Sequence, residues 1–252
     1  MVRTEDGWFP ESAASSALRA AQVRTIESGC ACPLFTDPYA QLLFDAAVAG
    51  GWPRPDPPVA DRDTAVAAYL ASRTRWFDEF LMTAGANGLD QIVILAPGLD
   101  ARAWRLPWID GTTVYEVDHP DVLRLKIDTL RRCGAEPATR CVGVSVDRQA
   151  GWPDALRRNG FDPAKATAWA VERLAGERTA VFADIGELSA PGSRLAVEMS
   201  DGDTAIIEHL TESGWEITRL PASRLLDRYD RCCSDGSPDA AGRALFVEGL
   251  AS

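Results

Sequence analysis

The 252 residues suffice for one large α/β domain with a buried core. Hydrophobic residues at 46% and charged residues at 25% describe an ordinary globular chain rather than a disordered one. A formal charge of -11, from 37 acidic against 26 Lys and Arg residues, opposes binding to nucleic-acid backbones or anionic membranes, so neither is an expected partner.

The start, MVRTEDGWFPESAASS, lacks a basic stretch followed by an apolar run, and no apolar run is long enough to span a bilayer; a cytoplasmic protein is expected. Cys30, Cys32, Cys133, Cys141, Cys232 and Cys233 form no paired CxxC units, which points to reduced thiols and to no metal site.

Residues 12 to 28 place Leu18, Ala21, Val23 and Ile26 at near-helical spacing, with Gly29 as a stop. A second helix is expected from Asp37-Pro38, with Asp37 as its cap and Leu42, Leu43 and Phe44 on its apolar face. The proline-rich stretch GGWPRPDPPVA, residues 50 to 60, must be a loop. A long helix follows from Asp61 to Thr83. Val66, Tyr69, Leu70, Phe77, Phe80 and Leu81 form its buried stripe, and Arg73 and Arg75 sit among its polar positions.

After Gly88 the rhythm changes. Short apolar runs at 91–96, 112–118, 140–147, 166–172, 193–199, 215–219 and 244–249 alternate with helical stretches at 101–106, 120–133, 153–159, 177–189, 204–213 and 222–229. Such alternation implies βαβ units and a doubly wound, mainly parallel sheet of Rossmann-like type. Residues 1 to 88 are expected to form a helical cap on a core of residues 89 to 252.

In such sheets ligands bind beyond the carboxyl ends of the strands, where this chain places carboxylates. The first strand runs into Gly98-Leu99-Asp100, the second ends in Glu116-Val117-Asp118, the third in Asp147 and the fourth in Glu172. Asp118, twenty residues past Gly98, is placed to accept the ribose hydroxyls of an adenosine cofactor; capping of the next helix by Glu116 or Asp118 is the structural alternative. The loop Ala96-Pro97-Gly98 lacks the glycines of a dinucleotide site, and Asp100 would repel a pyrophosphate. A cofactor without phosphates and with a cationic end, S-adenosylmethionine, fits better. Pro97 is expected to hold Ala96 in extended geometry, leaving Gly98 as the position that needs positive φ or a bare backbone.

The run QIVILAPGLDARAWRLPWIDGTTVYEVDHPDVLRLKIDTL, with SRTRWFDEFL before it and TAWAVE, LSAPGSRLAVE and GWEITRLPASRLLDRY after it, resembles the leucine carboxyl methyltransferase family, including its polyketide-tailoring O-methyltransferases. The resemblance implies a seven-stranded fold that binds S-adenosyl-L-methionine and methylates a carboxyl or hydroxyl of a small-molecule acceptor. Carried over residue by residue, it sets Ala96 and Gly98 against the cofactor, Asp118 on its ribose and Asp147 near its adenine. It also sets Glu172 at its ammonium, and Arg73 and Arg24 at its carboxylate. For both arginines a solvated helix face is the alternative, and Asp100 with Arg102 reads as a pair locking the loop. Trp104, Trp108, Trp152 and Trp169 read as packing. No general base is assigned, because a carboxylate acceptor needs none.

Three features depart from the family pattern: Ala96-Pro97, Arg173 after Glu172 with an apolar segment missing, and the short stretch MSDGDTAIIEHL after Glu198. The last two should leave the acceptor pocket more open. They suit a methyltransferase for a large acceptor, or alternatively a non-methylating relative that binds partners or catalyses another reaction.

Overall fold

The computed structural model describes residues 11–55, 60–147, 151–172, 179–231 and 243–252. Three helices come first, α1 (Glu11–Ser28), α2 (Ala40–Ala49) and α3 (Ala60–Ala86). Strands β1 (Gln91–Leu95), β2 (Thr113–Asp118), β3 (Arg140–Ser145), β4 (Thr167–Val171), β5 (Arg194–Ser200), β6 (Trp215–Pro221) and β7 (Ala244–Ala251) then alternate with helices. These helices are α4 (Arg102–Arg105), α5 (Pro120–Arg132), α6 (Trp152–Arg158), α7 (Thr179–Glu187), α8 (Thr204–Glu212) and α9 (Ala222–Arg228).

The seven strands form one sheet in the order β3-β2-β1-β4-β5-β7-β6. Strands β1 to β5 pair in parallel, and β7 runs antiparallel between β5 and β6. The doubly wound, mainly parallel architecture expected from the alternation is therefore present. Chain order reverses between β1 and β4, and the ligand crevice of such a sheet lies at the carboxyl ends of the strands flanking that point.

The two faces bury different chemistry. On one, Val93, Leu95, Tyr115, Val117, Trp169 and Val197 pack against α6, α7 and α8, and Trp152 meets Trp169 edge to face with centroids 6.1 Å apart. On the other, Ile92, Ile94, Val114, Ala168, Ala170 and Ala196 pack against α1, α2, α3 and α9. The small alanines on β4 and β5 leave room for the aromatic stripe of α3, where Trp76, Phe77 and Phe80 are buried. Alternation along each strand puts Glu116 and Asp118 in phase with Val114, Glu172 in phase with Ala168 and Ala170, and Glu198 in phase with Ala196. All four acids thus belong to the face covered by the N-terminal helices.

Two local expectations are corrected. Helix α2 begins at Ala40 with Tyr39 at its cap position and no side-chain cap. Asp37 is instead drawn off: its Oδ1 accepts the Tyr39 N–H at 3.0 Å, and its Oδ2 accepts from Arg24 Nε at 2.9 Å. Helix α5 is capped by His119, whose Nδ1 accepts the Asp121 N–H at 3.3 Å, and not by Glu116 or Asp118. Among the described residues no helix is long and apolar enough to cross a membrane.

Candidate active site

The loop after β1 is tied back to β2. Ala96 N donates to Val117 O at 2.8 Å, and Gly98 N donates to Asp118 Oδ2 at 2.8 Å. These two bonds set the backbone, and Ala96 lies at φ +51°, against the extended geometry expected of a residue before proline. Tertiary hydrogen bonding overrides the local preference, and a side chain in the left-handed region costs roughly 1–2 kcal/mol. Ala96→Gly is therefore expected to raise stability by up to about 1 kcal/mol; a lowered urea midpoint would contradict it. Gly98, at φ +57°, meets the expectation, and a Cβ there would stand 3.2 Å from the Ala17 Cβ.

Asp118 is fully buried and uses both oxygens, Oδ2 on Gly98 N–H and Oδ1 on His119 N–H at 2.7 Å. Burial pushes its carboxyl up, opposed by those two donors. Its neighbour on the same face, Glu116, lies 2.7 Å through Oε2 from Lys126 Nζ, and both side chains are completely buried. Lys126 also donates to the Asp100 carbonyl at 2.9 Å. One lysine of α5 thus braces the loop after β1 and the end of β2 together.

The N-terminal helices bring arginines to this floor rather than to solvent. Arg24 is 3% exposed and Arg73 5%, so neither is a solvated helix position. Arg24 bonds Asp37 and donates to the Leu99 carbonyl at 2.8 Å. Arg73 Nη1 reaches Glu198 Oε2 at 3.0 Å, and its Nη2 lies 3.6 Å from Glu172 Oε2. Arg102 forks to Asp78 at 2.6 Å, Asp100 at 3.2 Å and Glu172. Arg105 takes Asp78 from the other side at 2.6 and 2.7 Å. The Asp100–Arg102 pair read from the sequence is present, but as one link of a larger chain. Burial works against ionising Asp100, yet the guanidinium groups of Arg102, Arg105 and Arg24 hold its carboxyl far below the usual range.

Four guanidinium groups, of Arg24, Arg73, Arg102 and Arg105, thereby join five carboxylates, of Asp37, Asp78, Asp100, Glu172 and Glu198. Among the described residues the linked network carries one carboxylate in excess, and Glu172, with its side chain 19% exposed, is its most solvent-reaching member. Asp147 stands apart, exposed beyond the end of β3. Arg173 lies outside the described residues. Sequence reasoning missed Tyr69 and Glu198: the Tyr69 hydroxyl on α3 donates to Glu198 Oε1 on β5.

Solved methyltransferases share the seven-stranded, mainly parallel fold. These include the O-methyltransferase TomG of Streptomyces achromogenes, in complex with S-adenosylmethionine (TM-score 0.53, 13% identity, 92% of this chain and 96% of that one). A Bacillus cereus O-methyltransferase in complex with S-adenosylhomocysteine matches similarly (TM-score 0.53, 11% identity, 92% and 97%). The leucine carboxyl methyltransferase model matches residues 17–176, and the chain belongs to that family.

A relative from Mycobacterium sp. (strain MCS), assigned to the S-adenosyl-L-methionine-dependent methyltransferases, is 46% identical over 237 residues, 92% of this chain and 97% of its own. One from Mycobacterium tuberculosis (strain ATCC 25177 / H37Ra), assigned alike, is 36% identical over 307 aligned residues and 98% of each chain. Since 307 positions exceed the 252 residues here, the second relative carries segments with no counterpart in this chain, whereas the first is similarly short.

The residues present suit the amino-acid end of S-adenosyl-L-methionine. Arg73 Nε is buried with no hydrogen-bond partner among the described residues, a donor that suits a carboxylate, and the partly exposed Glu172 carboxylate suits an ammonium.

Proposed function

We propose that the protein is a cytoplasmic O-methyltransferase that delivers the methyl group of S-adenosyl-L-methionine to a carboxyl or hydroxyl oxygen of a small molecule in natural-product biosynthesis. The observation that carries this reading is the buried network with one surplus carboxylate among the described residues, most exposed at Glu172 beside the loop of Gly98. A net cation is the ligand such a floor favours, and bound S-adenosyl-L-methionine supplies an electrophilic methyl on a cationic sulfur.

In this reading Arg73 and Arg24 face the cofactor carboxylate, Glu172 its ammonium, the backbone of Ala96 and Gly98 its middle, Asp118 its ribose and Asp147 its adenine. Asp118 retains acceptor capacity while holding the loop, because each carboxylate oxygen has two lone pairs and accepts one backbone N–H, from Gly98 or His119. Residues 1 to 88 act as a cap over the core of residues 89 to 252. Catalysis rests on alignment of the acceptor oxygen with the methyl group and on its desolvation.

Titration calorimetry with S-adenosylmethionine and S-adenosylhomocysteine tests the reading. Wild type should bind both, and Asp118→Ala should weaken each at least tenfold, the loss of hydrogen bonds to a buried charged group. No heat of binding from wild type at millimolar ligand would remove the proposal.

A further inference from the structure

Tyr69 and Glu198 form a polar pair beside Glu172, and its two ends are held differently. Glu198 Oε2 is fixed by Arg73 at 3.0 Å, while Oε1 receives the Tyr69 hydroxyl. Tyr69 is 7% exposed, the Glu198 side chain 10%, and the Tyr69 ring lies against Phe246, with centroids 6.1 Å apart. In the sheet, Val171 of β4 pairs with Val197 of β5, so Glu198 stands beside Glu172 one strand further from the Gly98 loop and Asp118. With the cofactor spread from Asp118 to Glu172, the next groups along the sheet are those of this pair.

Charge selects the acceptor. Among the described residues, a net cation at Glu172 balances the one surplus carboxylate of the network. A carboxylate acceptor would then add a negative charge where each buried guanidinium group of the network already faces carboxylates. A neutral hydroxyl adds none, but it must lose a proton during transfer, and a tyrosine already hydrogen-bonded to a carboxylate can relay one.

Resting on the cofactor reading above, we infer that Tyr69 and Glu198 form a proton relay and that the acceptor is an alcohol or phenol rather than a carboxylic acid. The acceptor hydroxyl gives its proton to Tyr69 Oη as the Tyr69 proton passes to Glu198 Oε1. A lone pair of the acceptor oxygen forms the new bond to the methyl carbon, with the electron pair of the broken bond left on sulfur. Glu198 later returns its proton to solvent. Arg73, which holds the other carboxylate oxygen, keeps Glu198 aimed at the phenol.

The test uses the full chain, S-adenosylmethionine carrying a radioactive methyl group, a panel of phenols, alcohols and carboxylic acids, and a small-molecule extract of Mycobacterium cells. Methyl ethers survive mild alkali, whereas methyl esters release methanol. The expected result is alkali-stable label, reduced about a hundredfold in both Tyr69→Phe and Glu198→Gln, the usual loss with a general base. Tyr69→Phe should bind S-adenosylhomocysteine within about twofold of wild type, because the substitution leaves the Glu198–Arg73 ion pair in place. Alkali-labile label, undiminished transfer by Tyr69→Phe, or no transfer to any acceptor by protein that binds S-adenosylhomocysteine overturns the relay. Failure of wild type to bind S-adenosylhomocysteine overturns the cofactor reading beneath it.

Discussion

Asp78→Ala is expected to destabilise the protein by about 3–5 kcal/mol, the cost of leaving buried charges without their partner. Asp78 is 2% exposed and sits between two arginines that are as buried as itself, Arg102 at 2.6 Å and Arg105 at 2.6 and 2.7 Å. Among the described residues of α3 no other carboxylate reaches both, and Thr74 contributes only a carbonyl to Arg102, at 3.2 Å. The loss should fall on the seam between α3 and the loop after β1, since Arg102 and Arg105 belong to α4. A contrasting surface pair, Lys165 with Asp90 at 3.2 Å and about half exposed on both sides, should yield less than about 1 kcal/mol on Lys165→Ala. Urea denaturation of the two variants side by side checks both magnitudes. Equal effects would mean that the buried network is not what holds the helices down.

The second large effect is expected at Lys126. Lys126→Met removes the partner of a completely buried Glu116 and should cost about 3–5 kcal/mol at neutral pH. The pH dependence identifies the cause. Burial pushes the Glu116 carboxyl up even with Lys126 beside it, so folding favours its protonated form. A carboxyl raised on folding contributes stability below its unfolded pKa, about 4.3, and that contribution disappears as pH rises through the folded value. Removing Lys126 raises Glu116 further. The deficit of Lys126→Met relative to wild type should therefore be smallest near pH 4 and widen toward pH 7. Adding Glu116→Leu should recover most of it, because a packed apolar pair replaces a buried ion pair at little net cost. A deficit that stays flat across this range would point to lost packing instead.

How much of this was legible in the sequence differs by feature. The strands were, because parallel strands buried on both faces read as uninterrupted apolar runs such as QIVIL and TAWAV, and both are buried throughout. The strand-end rule places Asp118 and Glu172 at the carboxyl ends of β2 and β4, where the structure has them. The same rule reaches Glu198 on β5, but its partner Tyr69 lies 129 residues away and reads as one more apolar residue of the α3 stripe. Arginine burial was hidden for the opposite reason: periodicity assigns charged residues to solvent, and only the fold reveals that Arg24, Arg73 and Arg102 meet carboxylates from other elements. The geometry of Ala96 was misread because a local rule about proline could not include the bonds that Val117 and Asp118 impose from β2.

The shared phase of Glu116, Asp118, Glu172 and Glu198 bears on how this enzyme can change over evolutionary time. A single insertion or deletion inside β2, β4 or β5 would rotate these carboxylates into the aromatic layer around Trp152 and Trp169, where nothing could neutralise them. Loops at the carboxyl edge carry no such parity. Lineages are thus free to trim or extend the rim, altering what is admitted, while strand lengths stay locked by electrostatics.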